Sequence, residues 1–227
     1  MTTTIPVRNA ASDGHSARIL VADDHDIFRR GLKALLVSRA GWEVVGEAKT
    51  GREAVELVEV LKPDIAIIDI SMPELNGLEA ARRIHRAFPK IGILILSAHF
   101  SEQLLVDVME AGANAYIMKS DADRDLVSAV EALLDRETYF TGRATETLTD
   151  DNAVFDPQSH FRERLTSRER EVVQLLAEGK SSKEVASILG ISVKTAETHR
   201  ANIMKKLEVH SVTDVVRYAL KNQIIES

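Results

Sequence analysis

The sequence predicts an α/β domain, a five-stranded parallel doubly wound sheet, followed by an all-α domain of four helices. Three observations carry this expectation. Five short apolar runs alternate with five amphipathic stretches over residues 18–136, the order that builds a parallel sheet with helices on both faces. Two of the runs, Asp64–Ile70 (DIAIIDI) and Ile91–Ser97 (IGILILS), are apolar almost throughout, as strands buried on both faces must be. From Leu165 onward no strand-like run remains, only helical patterns.

The elements follow in order. Residues 1–17 lack an apolar core and read as a disordered arm rather than a secretory leader. Arg18–Ala22 is the first strand and ends in Asp23 and Asp24. His25–Ala40 places Ile27, Leu32, Leu35 and Leu36 at helical spacing. Trp42–Ala48 is the second strand and Arg52–Leu61 the second helix, stopped by Lys62–Pro63. After the third strand, Gly77–Phe88 is helical up to Pro89. After the fourth come the helix Ser101–Ala111, the strand Asn114–Met118 and the helix Asp123–Arg136. Residues 137–161 are acidic and aperiodic, a linker in which Gly142–Leu148 is a candidate helical turn. The domain over residues 162–227 then carries helices at Ser167–Glu178, Ser182–Leu189, Val193–Leu207 and Val212–Lys221.

Composition narrows the function. The chain has 227 residues, enough for two small domains, and is 44% hydrophobic and 28% charged, as globular proteins are. Cysteine is absent, which excludes disulfides and thiolate metal sites and fits a cytoplasmic protein. No run approaches the ~20 apolar residues of a membrane span, so no membrane partner is expected. The net charge of −6 conceals an asymmetry: residues 1–136 carry −5, residues 137–161 carry −4, and residues 162–227 carry +3. Two parts with different partners are expected.

In a doubly wound sheet, ligands sit beyond the C-terminal ends of the strands. Here those ends carry Asp23–Asp24, Asp69, Ser97 and, just past the fifth run, Lys119. Clustered carboxylates favour a hard divalent cation, Mg²⁺ above all. A lysine and a hydroxyl beside them could hold the oxygens of a phosphoryl group. Asp69, central in the sheet, is the candidate nucleophile, since a carboxylate attacking phosphorus forms an acyl phosphate. Taken singly each residue has a plainer reading, Asp24 for instance as a cap of the following helix. The four strand ends together outweigh those readings.

ILVADDH, IIDISMPELNGLEA, ILILSAH and GANAYIMKS resemble the receiver domain of two-component response regulators, over about Arg18–Arg136. The resemblance implies a flavodoxin-like receiver with Asp69 as phosphoacceptor. It implies Mg²⁺ held by Asp23, Asp24, Asp69 and the backbone carbonyl of Ser71, with Asp23 bound directly or through water. Ser97 would be the switch hydroxyl, Tyr116 the switch aromatic and Lys119 the phosphate-binding cation. Tyr116 taken alone is equally a strand aromatic packed on a helix. The resemblance also implies that Ser71 and His99 fall at positions that tune phosphate lifetime.

In the tail, Ser182–Leu189, Gly190–Ile191–Ser192 and Val193–Leu207 read as helix, tight turn, helix, with Gly190 as the left-handed stop and Ser192 as the next cap. The second of these helices carries Lys194, Glu197, Arg200, Lys205 and Lys206, with Thr195, Thr198, His199 and Asn202 as neutral hydrogen-bonding groups. That suits a helix entering the DNA major groove, although a plain bundle with a solvated charged face shares the pattern. LTSREREVVQLLAEGKSSKEVASILGISVKTAETHRANIMKKL closely resembles the LuxR-type DNA-binding domain, from about Leu165 to Lys221. Together the two resemblances imply the NarL/FixJ class of response regulators. They imply base contacts at Glu197, Thr198 and Ala201, and backbone contacts from Lys194, Thr195, Arg200 and Lys205. Glu197 is the weakest transfer, since a carboxylate is repelled by phosphate and equally suits an ion pair within the helix. Glu208 stands where many members have Gly.

The resemblance implies a phosphorylation-dependent transcriptional regulator rather than an enzyme. A sensor histidine kinase would phosphorylate Asp69, drawing Ser97 and Tyr116 inward, and the chain would form a homodimer on promoter half-sites in double-stranded DNA. In the class the unphosphorylated receiver commonly masks the recognition helix. A Mg²⁺-dependent aspartyl-phosphate phosphatase is disfavoured, because Asp69–Ile70–Ser71 lacks the second Asp such enzymes use as acid–base. A phosphorylation-dependent adaptor with an incidental helical tail is the remaining rival.

Overall fold

The computed structural model describes residues 16–141, 165–222 and 224–225. The sheet is parallel throughout, in the order β2-β1-β3-β4-β5-β6. Its strands are β1 (Ala17–Ala22), β2 (Trp42–Ala48), β3 (Ile65–Asp69), β4 (Gly92–Ser97), β5 (Ala115–Met118) and β6 (Tyr139–Phe140). The helices between them are α1 (Asp26–Val37), α2 (Gly51–Leu61), α3 (Gly77–Ala87), α4 (Glu102–Glu110) and α5 (Ala122–Leu134). A short 3₁₀ turn, Lys119–Asp121, joins β5 to α5.

Alternation along the strands divides the core in two. Leu20, Ile68, Ile93, Ile95 and Tyr116 face α2, α3 and α4, meeting Val58, Ala81, Ile84 and Leu104. Their neighbours Ile19, Val21, Ile67, Leu94, Leu96 and Ile117 face α1 and α5, meeting Leu32, Leu36, Leu126 and Val130. Every residue of β3 is buried, which explains why its sequence shows no polar alternation.

The sheet has six strands where five were expected. Tyr139–Phe140 pairs with Ala115–Tyr116 of β5, so the first residues of the expected linker belong to the α/β domain. Two residues are too few for a period, and Tyr139 and Phe140 pack on opposite core faces. α1 also stops earlier than expected, at Val37, ahead of Gly41 with φ of 82°. The N-terminal arm up to residue 15, the candidate turn Gly142–Leu148 and the linker from residue 142 lie outside the described residues.

The second domain consists, among the described residues, of α6 (Ser167–Ala177), α7 (Ser182–Leu189), α8 (Val193–Lys206) and α9 (Val212–Lys221), all at the expected places. Capping boxes begin α6, α7 and α9: Thr166 with Glu169, Ser181 with Glu184, and Ser211 with Asp214. The core gathers Val172, Leu175 and Leu176 with Val185, Ala196, Ile203, Val215 and Ala219.

Candidate functional site

The C-terminal ends of β1, β3 and β5 bring Asp23, Asp69 and Lys119 together. Asp23 and Asp69 are almost wholly buried. The Lys119 ammonium bridges them, 2.9 Å from Asp23 Oδ2 and 2.8 Å from Asp69 Oδ2. Burial works against the lysine charge, but the two carboxylates outweigh it and hold the group above the ordinary lysine range. Phe28 of α1 lies beneath this ammonium, its ring centroid 5.0 Å away, a cation–π contact. Asp24 does not cap α1: the N-cap is His25, with no side-chain cap bond. The Asp24 carboxylate instead lies 2.8 Å from His25 Nδ1.

Ligand atoms of Asp23, Asp24, His25 and Asp69 all fall within 4.8 Å of one another. Three carboxylates against one lysine leave a net negative pocket of oxygen donors, which fits a hard cation such as Mg²⁺. Ser71 follows in the β3–α3 loop. That loop is packed tightly: the Gly77 amide donates to the Ile70 carbonyl at 2.8 Å, and a Cβ on Gly77 would lie 2.0 Å from the Asp69 carbonyl oxygen. Only glycine fits there.

At the end of β4, Ser97 Oγ donates to the His99 carbonyl at 2.7 Å and accepts from the His99 amide. The Tyr116 hydroxyl donates to the same carbonyl at 3.0 Å, with its ring buried near Phe100. Burial pushes the Tyr116 phenol up. The Tyr116 ring is thus buried with the Asp69–Lys119 ion pair in place.

The second set of residues lies on α8. α7 ends at Gly190 in the left-handed conformation with φ of 64°, and Ser192 Oγ accepts from the Thr195 amide at 3.1 Å. Ala196 and Ile203 anchor α8 in the core. This leaves Lys194, Thr195, Glu197, Thr198, Ala201 and Lys205 exposed and Arg200 half-buried. Thr198 bonds back to the Lys194 carbonyl. Lys206, counted in the basic charge of the helix, is paired with Glu169 of α6 at 2.7 Å. Among the described residues these side chains stay exposed while α6 lies against the receiver. The domains meet through α6, where Gln174 and Glu171 are almost wholly buried. Sequence reasoning passed over both, along with Phe28.

A parallel sheet with this acidic pocket, joined to an exposed helix-turn-helix, defines a response regulator that binds DNA. Residues 19–131 match the response regulator receiver domain, and residues 163–219 match the luxR family of bacterial regulatory proteins. The uncharacterized transcriptional regulatory protein YhcZ of Bacillus subtilis is 36% identical over 204 residues, covering 90% of this chain and 95% of the relative. The response regulator protein VraR of Staphylococcus aureus is 34% identical over 209 residues, covering 92% and 99%. Among solved structures, RcsB of Salmonella enterica serovar Typhimurium, bound to promoter P1flhDC in the presence of the phosphomimetic BeF3⁻, superposes with a TM-score of 0.59. It is 27% identical and covers 90% of this chain and 98% of that one. The chain belongs to the LuxR-type response regulators of two-component systems, which are DNA-binding transcription regulators. No described helix is long and apolar enough to cross a membrane.

Proposed function

We propose that the protein is a cytoplasmic transcription factor switched by phosphorylation of Asp69. The observation that carries the reading is Lys119, held between two buried carboxylates at the strand ends, in the same chain as an exposed recognition helix. An Asp69 carboxylate oxygen attacks the phosphorus of a phosphohistidine on a sensor kinase. The P–N bond breaks, the imidazole leaves with its electron pair, and an acyl phosphate forms. Asp23, Asp24, Asp69 and the Ser71 carbonyl would hold Mg²⁺, which when bound supplies positive charge against the transferring oxygens. Lys119 neutralises a further oxygen. Ser97 gives up its bond to the His99 carbonyl and donates to the phosphoryl group, moving the backbone that Tyr116 also holds. That shift favours a homodimer able to grip paired promoter half-sites, with self-dephosphorylation as the only hydrolytic activity.

On DNA, Lys194, Thr195, Arg200 and Lys205 contact the backbone, while Glu197, Thr198 and Ala201 face base edges. We assign the receiver to residues 18–136, extended by β6, the linker to the residues that follow up to 161, and the DNA-binding domain to residues 162–227. The test uses Asp69→Asn. Acetyl phosphate is expected to phosphorylate the wild type in Mg²⁺, to drive dimerisation seen by light scattering and to raise affinity for selected genomic fragments. Asp69→Asn should show none of the three responses, and an unchanged response would sink the switch.

A further inference from the structure

α6 docks on the receiver at the loop that follows Asp69, and it does so through backbone. Gln174 reaches across from α6: its Oε1 accepts from the Asn76 amide at 2.8 Å, and its Nε2 donates to the Met72 carbonyl at 2.8 Å. The same amide nitrogen donates to Glu178 Oε1 at 2.8 Å. Glu178 in turn accepts from the amide of Glu74 at 3.1 Å, a residue in the left-handed conformation with φ of 66°. Three backbone groups of one short loop are thus held by two side chains of the other domain. Around them Glu171 pairs with Arg83 of α3, and Arg170 lies 4.0 Å from Glu79.

The loop has little slack on its other side. A Cβ at Gly51 would lie 2.0 Å from the Leu75 carbonyl oxygen, and one at Gly77 the same distance from that of Asp69. A displacement of the Asp69 backbone therefore cannot be absorbed within the loop and reaches Gln174. The pocket is balanced in its present state, with Lys119 bonded to Asp23 and Asp69 together. A phosphoryl group on Asp69 would claim Lys119 and need room beside a loop pinned from both sides.

We infer that Gln174 is a positioning residue for the phosphoacceptor loop, supplied by the DNA-binding domain, so that docking of α6 and phosphorylation of Asp69 oppose each other. The inference rests on the reading of Asp69 as phosphoacceptor and gives that switch its point of contact, the first helix of the DNA-binding domain rather than the recognition helix. Linkage makes the effect reciprocal at equilibrium, so whatever loosens the docking favours the phosphorylated form by the same factor; with the open form as the one that reacts, the rate rises with its population.

The test compares the full-length wild type with Gln174→Ala and Gln174→Glu. The second keeps size and an acceptor for the Asn76 amide but loses the donor to Met72. Docking is read without metal or phosphoryl donor, from the radius of gyration in small-angle scattering and from the Glu74 and Asn76 amide resonances. Phosphorylation is read as the rate with acetyl phosphate and Mg²⁺ on phosphate-affinity gels. Gln174→Ala, which loses both interdomain hydrogen bonds, should shift the docking equilibrium toward the open form by about 5- to 30-fold. Gln174→Glu, which loses one, should shift it by less, and both variants should phosphorylate faster than wild type. Variants that open but phosphorylate at the wild-type rate or more slowly would overturn the coupling and leave Gln174 a structural contact. Unchanged docking would also overturn it. A wild type that takes up no phosphoryl group would instead refute the Asp69 reading, and the coupling with it.

Discussion

Asp26 supports the acidic pocket from outside it. Its carboxylate bonds Arg29 Nη2 at 2.5 Å and lies 3.1 Å from the Lys49 ammonium. Arg29 in turn donates from Nη1 to the Asp23 carbonyl at 2.7 Å, so the strand end that carries Asp23 is tied to α1. The Arg29 hydrogen bond, followed by Lys49, holds the Asp26 carboxyl down from 3.8 to about 2. A carboxyl depressed in the folded state contributes stability that is present above its unfolded value and lost as pH falls through the folded one. Asp26→Asn should therefore be less stable than wild type at neutral pH, and the gap should close between about pH 4 and pH 2. Urea titrations of both proteins across that range would check it. The pocket's own residues are legible in the sequence, because Asp23, Asp24, Asp69, Ser97 and Lys119 each stand where an apolar run stops. Arg29, Phe28 and Gln174 are not, since each is an ordinary helical residue whose partner lies on another element.

Turns and caps decide where the helices of the second domain begin and end, and these were the most readable elements of the chain. Gly190 and Ser192 take the left-handed stop and the N-cap that their types suggest. Glu208, at a position where the family resemblance implies glycine, adopts a left-handed backbone, with φ of 53°. A residue with a Cβ is strained there by ~1–2 kcal/mol. Replacing it with glycine relieves that strain but returns ~0.4–1 kcal/mol of unfolded-chain entropy. Glu208→Gly should stabilise the protein by a net ~0.5–1 kcal/mol, measurable by chemical unfolding, without touching the exposed face of α8. β6 was illegible at this scale for a physical reason. A two-residue strand is specified by the edge of β5 that it covers rather than by its own pattern.

At the scale of the molecule, the two domains meet, among the described residues, without hiding the surface that would read DNA. Lys194, Thr195, Glu197, Thr198, Ala201 and Lys205 stay exposed while α6 is docked. On the proposed reading, phosphorylation would gain little at a single half-site, its leverage lying in freeing the domains to pair. Net charge alone argued against DNA, yet the acidic total belongs to the receiver and linker, and α8 carries the basic excess. Asp69→Asn should accordingly bind a duplex bearing one selected half-site within about twofold of phosphorylated wild type. It should fall well behind on a duplex bearing two, where dimerisation converts the second contact into an intramolecular one. Both affinities should drop steeply with salt, as phosphate contacts by Lys and Arg require. Fluorescence anisotropy on the two duplexes over a range of salt would decide it. A large loss on the single half-site would mean that the receiver obstructs DNA despite leaving those side chains open to water.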